Sequence, residues 1–556
     1  MSSKTVSQWL SLLECPEKSR SLCDTYGTNK EVLQKRAVLL QRTLTAFKER
    51  FGDDIVNVFR APGRINLRGM HVDTHGGFLN LMTHQREVVV VAAPTGTPIS
   101  IAANVDDSFS EVVFDLSKEQ QGINREKDWR EAIAVPEVAD RVQGRRAHEE
   151  TAWSSYCIGA ALRVFHADPK SSPQGLKMMV NSDLPRGAAL SSSAALIIAS
   201  LLAYARCSNI ESNIPQLIHA AQDVEWYAGA RVGMSDQTAI LLGRPDQLLH
   251  IAVFARDFSL DGARYTTFPE ALDLLVVNSH TRRTLSGAER LEYSRNRFAY
   301  SMALIVLRAE LKHFGWTSKT VMKMDRLSRI TPDTLGGVSN LYQILQRIPE
   351  MLSIKELQER YHPPNLTSEY TRYFGELDTK IQPTHIPLRG PLLFGIAESE
   401  RARLFPKVLE EGDYERAGQL MSVGHDGDRV HSPDGTPFST NISDAMMAVL
   451  SRKKAAVILQ PGAYGASSPA LDILVDTALE AGALGASLTG AGIAGAILVL
   501  CRKENTTAIH QALAQILQQE SYARHANLSV PLDAETAAQS IVINQSTSGA
   551  GELIPD

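Results

Sequence analysis

Three stretches of this 556-residue sequence concentrate groups able to hold a phosphate or grip a polar ligand. The first is Asp183 to Ala195 (DLPRGAALSSSAA). Its small residues, including Gly187 and Ala188, let main-chain N–H groups approach an anion, and the apolar helix expected next adds positive partial charge. Ser191, Ser192 and Ser193 at that helix start are expected to cap it, and a hydroxyl there can also ligate Mg2+. The plainer alternative is a Ser-rich helix cap with no ligand. The second stretch, Arg60 to Gly77, packs Arg64, Asn66, Arg68, His71, Asp73 and His75 into a glycine-rich segment read as a loop. Such density of donors and acceptors suits a polyhydroxylated ligand. Metal ligation by His71 and His75 is disfavoured, because the segment is not helical and has no obvious third ligand. The third stretch, Leu488 to Ala496 (LTGAGIAGA), contains GxGxxG at Gly490 to Gly495, but a strand-like run, AILVLC, follows where a dinucleotide site needs a helix. It therefore reads as a tight loop against a neighbouring phosphate loop, or as a hairpin. No GxxxxGK[ST] occurs.

The elements around these stretches alternate in kind. Residues 31–51 have the three-and-four spacing of an amphipathic helix, and Glu87 to Ala93 is a β-branched run suited to a strand buried on both faces. Further strands are expected at Val56 to Arg60, Leu176 to Ser182, Leu248 to Phe254, Leu272 to Asn278, Ala496 to Cys501 and Ser540 to Asn544. Helices are expected at Trp153 to Phe165, Ser191 to Ala205, Ile214 to Tyr227, Gly287 to Phe314, Pro469 to Ala481 and Thr506 to Glu520. Residues 361–391 and 426–444 lack periodicity and are rich in Pro, Ser and Asp, as surface insertions are.

Composition narrows the class. A chain this long exceeds one growing core, so two lobes are expected. With 57 Lys and Arg against 62 Asp and Glu there is no general basic field for nucleic acid or a membrane surface. The longest apolar run, Ala194 to Ala205, is too short to span a bilayer. Five scattered cysteines, without CxxC, point to reduced, mostly buried thiols and a cytoplasmic protein.

In order and spacing the three stretches resemble the signature motifs of the GHMP kinase superfamily, and Arg60 to Gly77 resembles its galactokinase signature. Gly233 to Gln237 (GMSDQ) resembles the segment carrying the catalytic aspartate, while Val277 to Ser279 and Tyr293 to Arg297 resemble the sugar-side segment. The resemblance implies an α+β, two-lobed fold, each lobe a mixed β-sheet with helices, and an active site in the cleft between them. It implies a helical extension over residues 1–43, an N-terminal lobe over 44–255, and a C-terminal lobe over 256–556. The implied activity is ATP-dependent phosphorylation of a sugar C1 hydroxyl, with ATP and Mg2+ as cofactor and metal, and a monosaccharide and ATP as the partners. Asp236 and Arg64 are then catalytic. Met70, His71, Asp73, Gly233 and Tyr293 are the substrate-binding candidates, and Gly187, Ala188, Leu190, Ser191, Ser192, Ser193, Gly490 and Gly492 the phosphate-binding ones. Ser192, Ser193 and Glu225 are the metal candidates. Spacing alone puts Val224 at the acid's position, with Asp223 and Glu225 flanking it.

The sequence also departs from that family. Ala189 and Ala494 replace glycines, which a negative φ would tolerate. Met70 stands where galactokinases carry a glutamate that contacts the sugar's C6 hydroxyl. Its loss relieves repulsion of a C6 carboxylate, with which Arg68 is expected to pair, so the candidate sugars are galactose, galacturonate or another uronate, and L-arabinose. The alternatives are a catalytically silent sugar and ATP sensor acting through a protein partner, which retention of Asp236 and the serines disfavours, and a kinase for a non-sugar alcohol.

Overall fold

The computed structural model describes residues 4–555 except 169, 186, 188, 231, 282–287 and 376, and omits the side chains of 288–290, 292 and 293. A nine-stranded sheet is centred on the antiparallel pair Ile55–Arg68 and Phe78–Pro94. Beyond Phe78–Pro94 lie Leu176–Ser182, Ile99–Asn104 and Val112–Asp115; the middle pairing, Ile99–Asn104 with Leu176–Ser182, is parallel. Gln247–Ala252 continues from the other end of Phe78–Pro94 and pairs with Arg264–Thr267. A second sheet, wholly antiparallel, has the order Gly485–Thr489, Ala496–Arg502, Leu272–Asn278, Ile541–Ile543.

The run at 88–93 behaves as a strand covered on both faces should. Val88, Val90 and Ala92 join the main core, against the helices Ser154–Ala167 and Ser192–Cys207. Val89, Val91 and Ala93 join a second apolar cluster under the helix Lys30–Phe51. That helix starts where the Asn29 side chain accepts from the N–H groups of Glu31 and Val32, and stops at Gly52, whose φ of +95° favours glycine. It buries Leu33, Leu40, Leu44 and Phe47, each contributing roughly 1.5–3 kcal/mol of transfer free energy.

The stretch expected to be a loop from Arg64 onward is strand as far as Arg68. Pro62, which has no N–H, and Gly63 throw the ladder out of register, so pairing jumps from Pro62 opposite Glu87 to Arg64 opposite Thr83. A Cβ on Gly63 would lie 2.5 Å from Leu184 Cδ2, so this glycine lets the strand meet the phosphate loop. Residues 361–391 hold a helix, Leu366–Phe374, and a short strand, His385–Pro387, which the sequence reading did not anticipate. Cysteine burial is also corrected: Cys157 and Cys501 are buried, Cys23 and Cys207 half-buried and Cys15 exposed, all as free thiols. Among the described residues no helix is long and apolar enough to cross a membrane.

Candidate active site

Asp236 lies in the first turn of the helix Ser235–Leu242, where a carboxylate complements the helix dipole. Arg64, from the strand across, donates Nε–H to Asp236 Oδ1 at 2.7 Å and Nη1–H to the Ala189 carbonyl at 2.6 Å. The Ser191 hydroxyl donates to Asp236 Oδ2, and Ser235 Oγ–H lies 2.9 Å from Asp73 Oδ2 and 3.2 Å from Asp236 Oδ1. Burial alone would raise the Asp236 pKa. The Arg64 guanidinium and the hydrogen bonds from Arg64, Ser191 and Ser235 overcome it and hold the carboxyl below the ordinary carboxylate range. Three segments far apart in sequence thus meet at one ionised carboxylate.

The phosphate loop has the backbone of an anion nest. Gly187, Ala189 and Ser191 all take positive φ, at +70°, +56° and +61°, and Leu190 between the last two does not. This corrects the expectation for Ala189, whose φ is not negative; the Arg64 bond to its carbonyl and the Arg64 N–H bond to the Leu190 carbonyl at 3.2 Å pin it there. The expected serine caps are corrected too. The helix begins at Ser192 without a side-chain cap bond, because Ser191 turns to Asp236 and Ser193 to Glu225, with Ser193 Oγ–H 2.9 Å from Glu225 Oε1. Geometry therefore favours Glu225 over Asp223 and the Val224 position. Val224 is core, and Asp223 pairs with Arg130 and Arg163 at 3.4 and 3.0 Å. Burial pushes the Glu225 carboxyl up to about 7 against the Ser193 hydrogen bond, and the Asp236 charge adds to the rise. A cavity of about 330 Å³ opens beside Ser192 and Ser193, walled by Phe109, Trp153, Tyr156 and Arg146.

The glycine stretch 490–495 is both of the things expected of it. It joins the antiparallel strands Gly485–Thr489 and Ala496–Arg502 as a hairpin, and a Cβ on Gly490 would lie 2.7 Å from the Ala189 Cβ. Gly492 abuts the Ala466 carbonyl instead, and Ser279 Oγ–H bonds the Gly495 carbonyl at 2.6 Å, so Val277 to Ser279 braces this loop.

On the other side of Asp236 a second pocket, of about 90 Å³, is lined by Arg64, His71, Asp73, Gly233, Asp236 and Gly490. Gly233 is required by close approach: a Cβ there would lie 1.9 Å from Asp73 Oδ2. Met70 is not part of the lining. Its side chain is 2% exposed in the hydrophobic core, and its N–H bonds Glu398 Oε1 at 3.2 Å. Arg68 is likewise corrected as a partner for a substrate carboxylate. It is fully buried, donates to the Leu420 and Met421 carbonyls and Ser487 Oγ, and faces Glu398 at 3.6 Å. His75 leaves the pocket, with Nε2 3.0 Å from Ser301 Oγ. Ala188 lies outside the described residues, as does the side chain of Tyr293, whose backbone belongs to the helix Ala288–His313.

The lining also includes Asn66, one of the polar groups singled out in Arg60 to Gly77, and Thr74, Ser235, Arg297 and Tyr464, which were not chosen from sequence as ligand-binding. Arg297 is one helical turn beyond Tyr293, within a segment already singled out, so its helical spacing was the available signal. Tyr464 had none. It lies flat against His71, ring centroids 4.4 Å apart at 16°, and against Phe394 at 5.1 Å, a contact made only by the fold.

Residues 155–244 match the GHMP kinases N terminal domain and residues 405–519 the GHMP kinases C terminal domain. The chain thus carries matches to both GHMP kinase domains. Residues 45–94 match the galactokinase galactose-binding signature, which spans the Arg64 to Asp73 segment. The fold is that of Lactococcus lactis galactokinase, solved with galactose: 19% identity, TM-score 0.58, covering 91% of this chain and 98% of that one. A mevalonate kinase of L. major, solved with R-mevalonate, aligns at 15% identity and TM-score 0.42 over 89% of this chain and 97% of that one. With the galactose-binding signature added to both kinase domains, the coarse assignment is a galactokinase-like kinase.

Proposed function

We propose that this chain transfers the γ-phosphoryl group of ATP to the anomeric C1 hydroxyl of a galactose-like monosaccharide, giving a sugar 1-phosphate and ADP. The observation that carries this reading is the position of Asp236, bonded on one side to Ser191 of the phosphate loop and reached on the other by the pocket of His71, Asp73 and Gly233. A sugar hydroxyl in that pocket meets a carboxylate already ionised at neutral pH. Held this acidic, Asp236 orients the hydroxyl and receives its proton late, as phosphoryl transfer builds positive charge on the attacking oxygen. Arg64 keeps the carboxylate charged and its guanidinium faces the charge developing on the transferred group.

The nest at Gly187, Ala189 and Ser191 supplies N–H groups for the phosphates, and the cavity beside Ser192 and Ser193 has aromatic walls for a nucleoside. The metal donors fit Mg2+: a hydroxyl and a carboxylate oxygen, both hard, meet at Ser193 and Glu225. Among the described residues there is no cluster of three or more His, Cys, Asp or Glu ligands, in keeping with a cation held largely by phosphate oxygens and water. Bound there, Mg2+ would neutralise phosphate charge. On the choice of sugar, Arg297 is the informative side chain, a second guanidinium in the lining with which a uronate carboxylate could pair where galactose and L-arabinose offer none.

The test is ADP release with Mg-ATP across galactose, galacturonate, glucuronate and L-arabinose. Turnover with at least one is expected, and Asp236→Asn should lower kcat by about a thousandfold or more while the protein stays folded. Saturable ATP binding without turnover on any sugar would overturn the reading.

A further inference from the structure

The first fifty residues take no part in the reaction proposed above, yet one of their side chains holds the root of the phosphate loop. Arg36, in the helix Lys30–Phe51, is 4% exposed and makes a two-pronged pair with Asp183, the residue that opens the loop; Nη1 lies 3.1 Å from Oδ1 and Nη2 bonds Oδ2. Asp183 Oδ1 also accepts the Glu87 N–H at 2.8 Å. The Glu87 carboxylate is fully buried, takes the Tyr26 hydroxyl at 2.7 Å, pairs with Arg60, and lies 3.8 Å from Arg36. Two side chains of the N-terminal segment, Tyr26 and Arg36, therefore engage the two carboxylates at the loop root.

Stability alone does not account for this arrangement, since buried ion pairs roughly break even against apolar packing. The loop itself supplies a reason. Two of its non-glycine residues, Ala189 and Ser191, hold left-handed backbone, and such strain persists only where the surroundings fix the segment. Its far end is fixed by Ser191 on Asp236 and by Arg64 on the Ala189 and Leu190 carbonyls. Its near end is fixed by Asp183 on Arg36. We propose that Arg36 is a positioning residue that sets the loop for nucleotide phosphates through Asp183, making residues 30–36 part of the nucleotide site without touching the nucleotide. This rests on the reading of the loop as the phosphate site.

The experiment compares full-length wild type with Arg36→Met, Arg36→Lys and Asp183→Asn, measuring ADP and ATP binding by calorimetry, and KM for each substrate. Arg36→Met is expected to weaken nucleotide binding about tenfold or more, with sugar KM and kcat changed less than about threefold and Arg36→Lys recovering part of the loss. Asp183→Asn, which keeps the side chain's shape, is expected to weaken nucleotide binding in the same direction and serves if Arg36→Met fails to fold. Unchanged nucleotide affinity in folded variants, or a lower active fraction at unchanged nucleotide KM, would overturn the proposal and leave the kinase reading intact. A wild type that binds no nucleotide would overturn the kinase reading first, and this one with it.

Discussion

At the scale of single residues, the informative group is the acid that spacing did not fix. Glu225 is buried, and its carboxyl is raised from the ordinary 4.5 to about 7, so between those values the folded protein holds a proton that the unfolded chain has lost. Stability from that proton is complete below pH 4.5 and is lost as pH rises through 7. The shift corresponds to on the order of 3 kcal/mol above pH 8. Glu225→Gln, which cannot ionise, should gain about that much over wild type between pH 4.5 and 8 in metal-free denaturant titrations; a difference that does not change with pH would show the carboxyl unperturbed. Sequence narrowed this acid to neighbours of Val224 but could not choose, because Asp223 and Glu225 point to different neighbours and only the bond from Ser193 separates them. Met70 shows the converse. Its place in the sequence made it a ligand candidate, but a main-chain bond to Glu398 and a core position take its side chain away from the pocket.

At the scale of elements, legibility followed punctuation. Leu176–Ser182, Leu272–Asn278 and the helix Ile214–Tyr227 end where the sequence reading ended them, since apolar runs there are bounded by Gly, Pro, Asn or Asp. Leu366–Phe374 escaped because it is only about two and a half turns long and Asn365 before it is left-handed with no capping bond. Ile55–Arg68 outran its expected end because its polar half is paired and covered by distant segments, among them the helix Arg389–Glu410. From that helix Glu398 accepts the N–H groups of Gly69 and Met70 at 2.8 and 3.2 Å and pairs with Arg401 at 2.7 Å, all fully buried with Arg68. Burial opposes ionisation of Glu398, yet Arg68 and Arg401 hold its carboxyl below the usual range. Glu398→Gln keeps the shape but takes from two buried guanidiniums the carboxylate they share, leaving Arg68 only the weaker attraction of Asp428. It should cost about 3–5 kcal/mol in denaturant unfolding; a loss under about 1 kcal/mol would mean that other groups balance them.

At the scale of the molecule, segments far apart in sequence close the same sheet edge. Lys4–Thr5 pairs with Ile55 and Val56, and Gly551–Leu553 with Val58 to Arg60, so both lie along one side of the strand that leads to Arg64. The 547–549 segment is more than an edge cover. Arg60, 1% exposed, spends Nη1 on the Ser548 and Gly549 carbonyls and Nη2 on Thr547 Oγ1, while Thr83 exchanges hydrogen bonds with Thr547. The Ser548 N–H in turn reaches the Thr25 carbonyl at 2.9 Å. Neither the lone Gly551–Leu553 pattern nor the sequence around Arg60 announces this closure, because each half is unremarkable until the other is beside it. Removing residues 546–556 strips a buried guanidinium of three acceptors and opens the edge of the central pair. That deletion should cost about 3 kcal/mol or more and lower soluble yield, whereas removing only 554–556, where Ile554 is 45% exposed, should change stability by less than about 0.5 kcal/mol. Denaturant midpoints of the two truncations decide it: equal values would mean that Arg60 finds other acceptors and that the 547–549 segment merely covers the sheet.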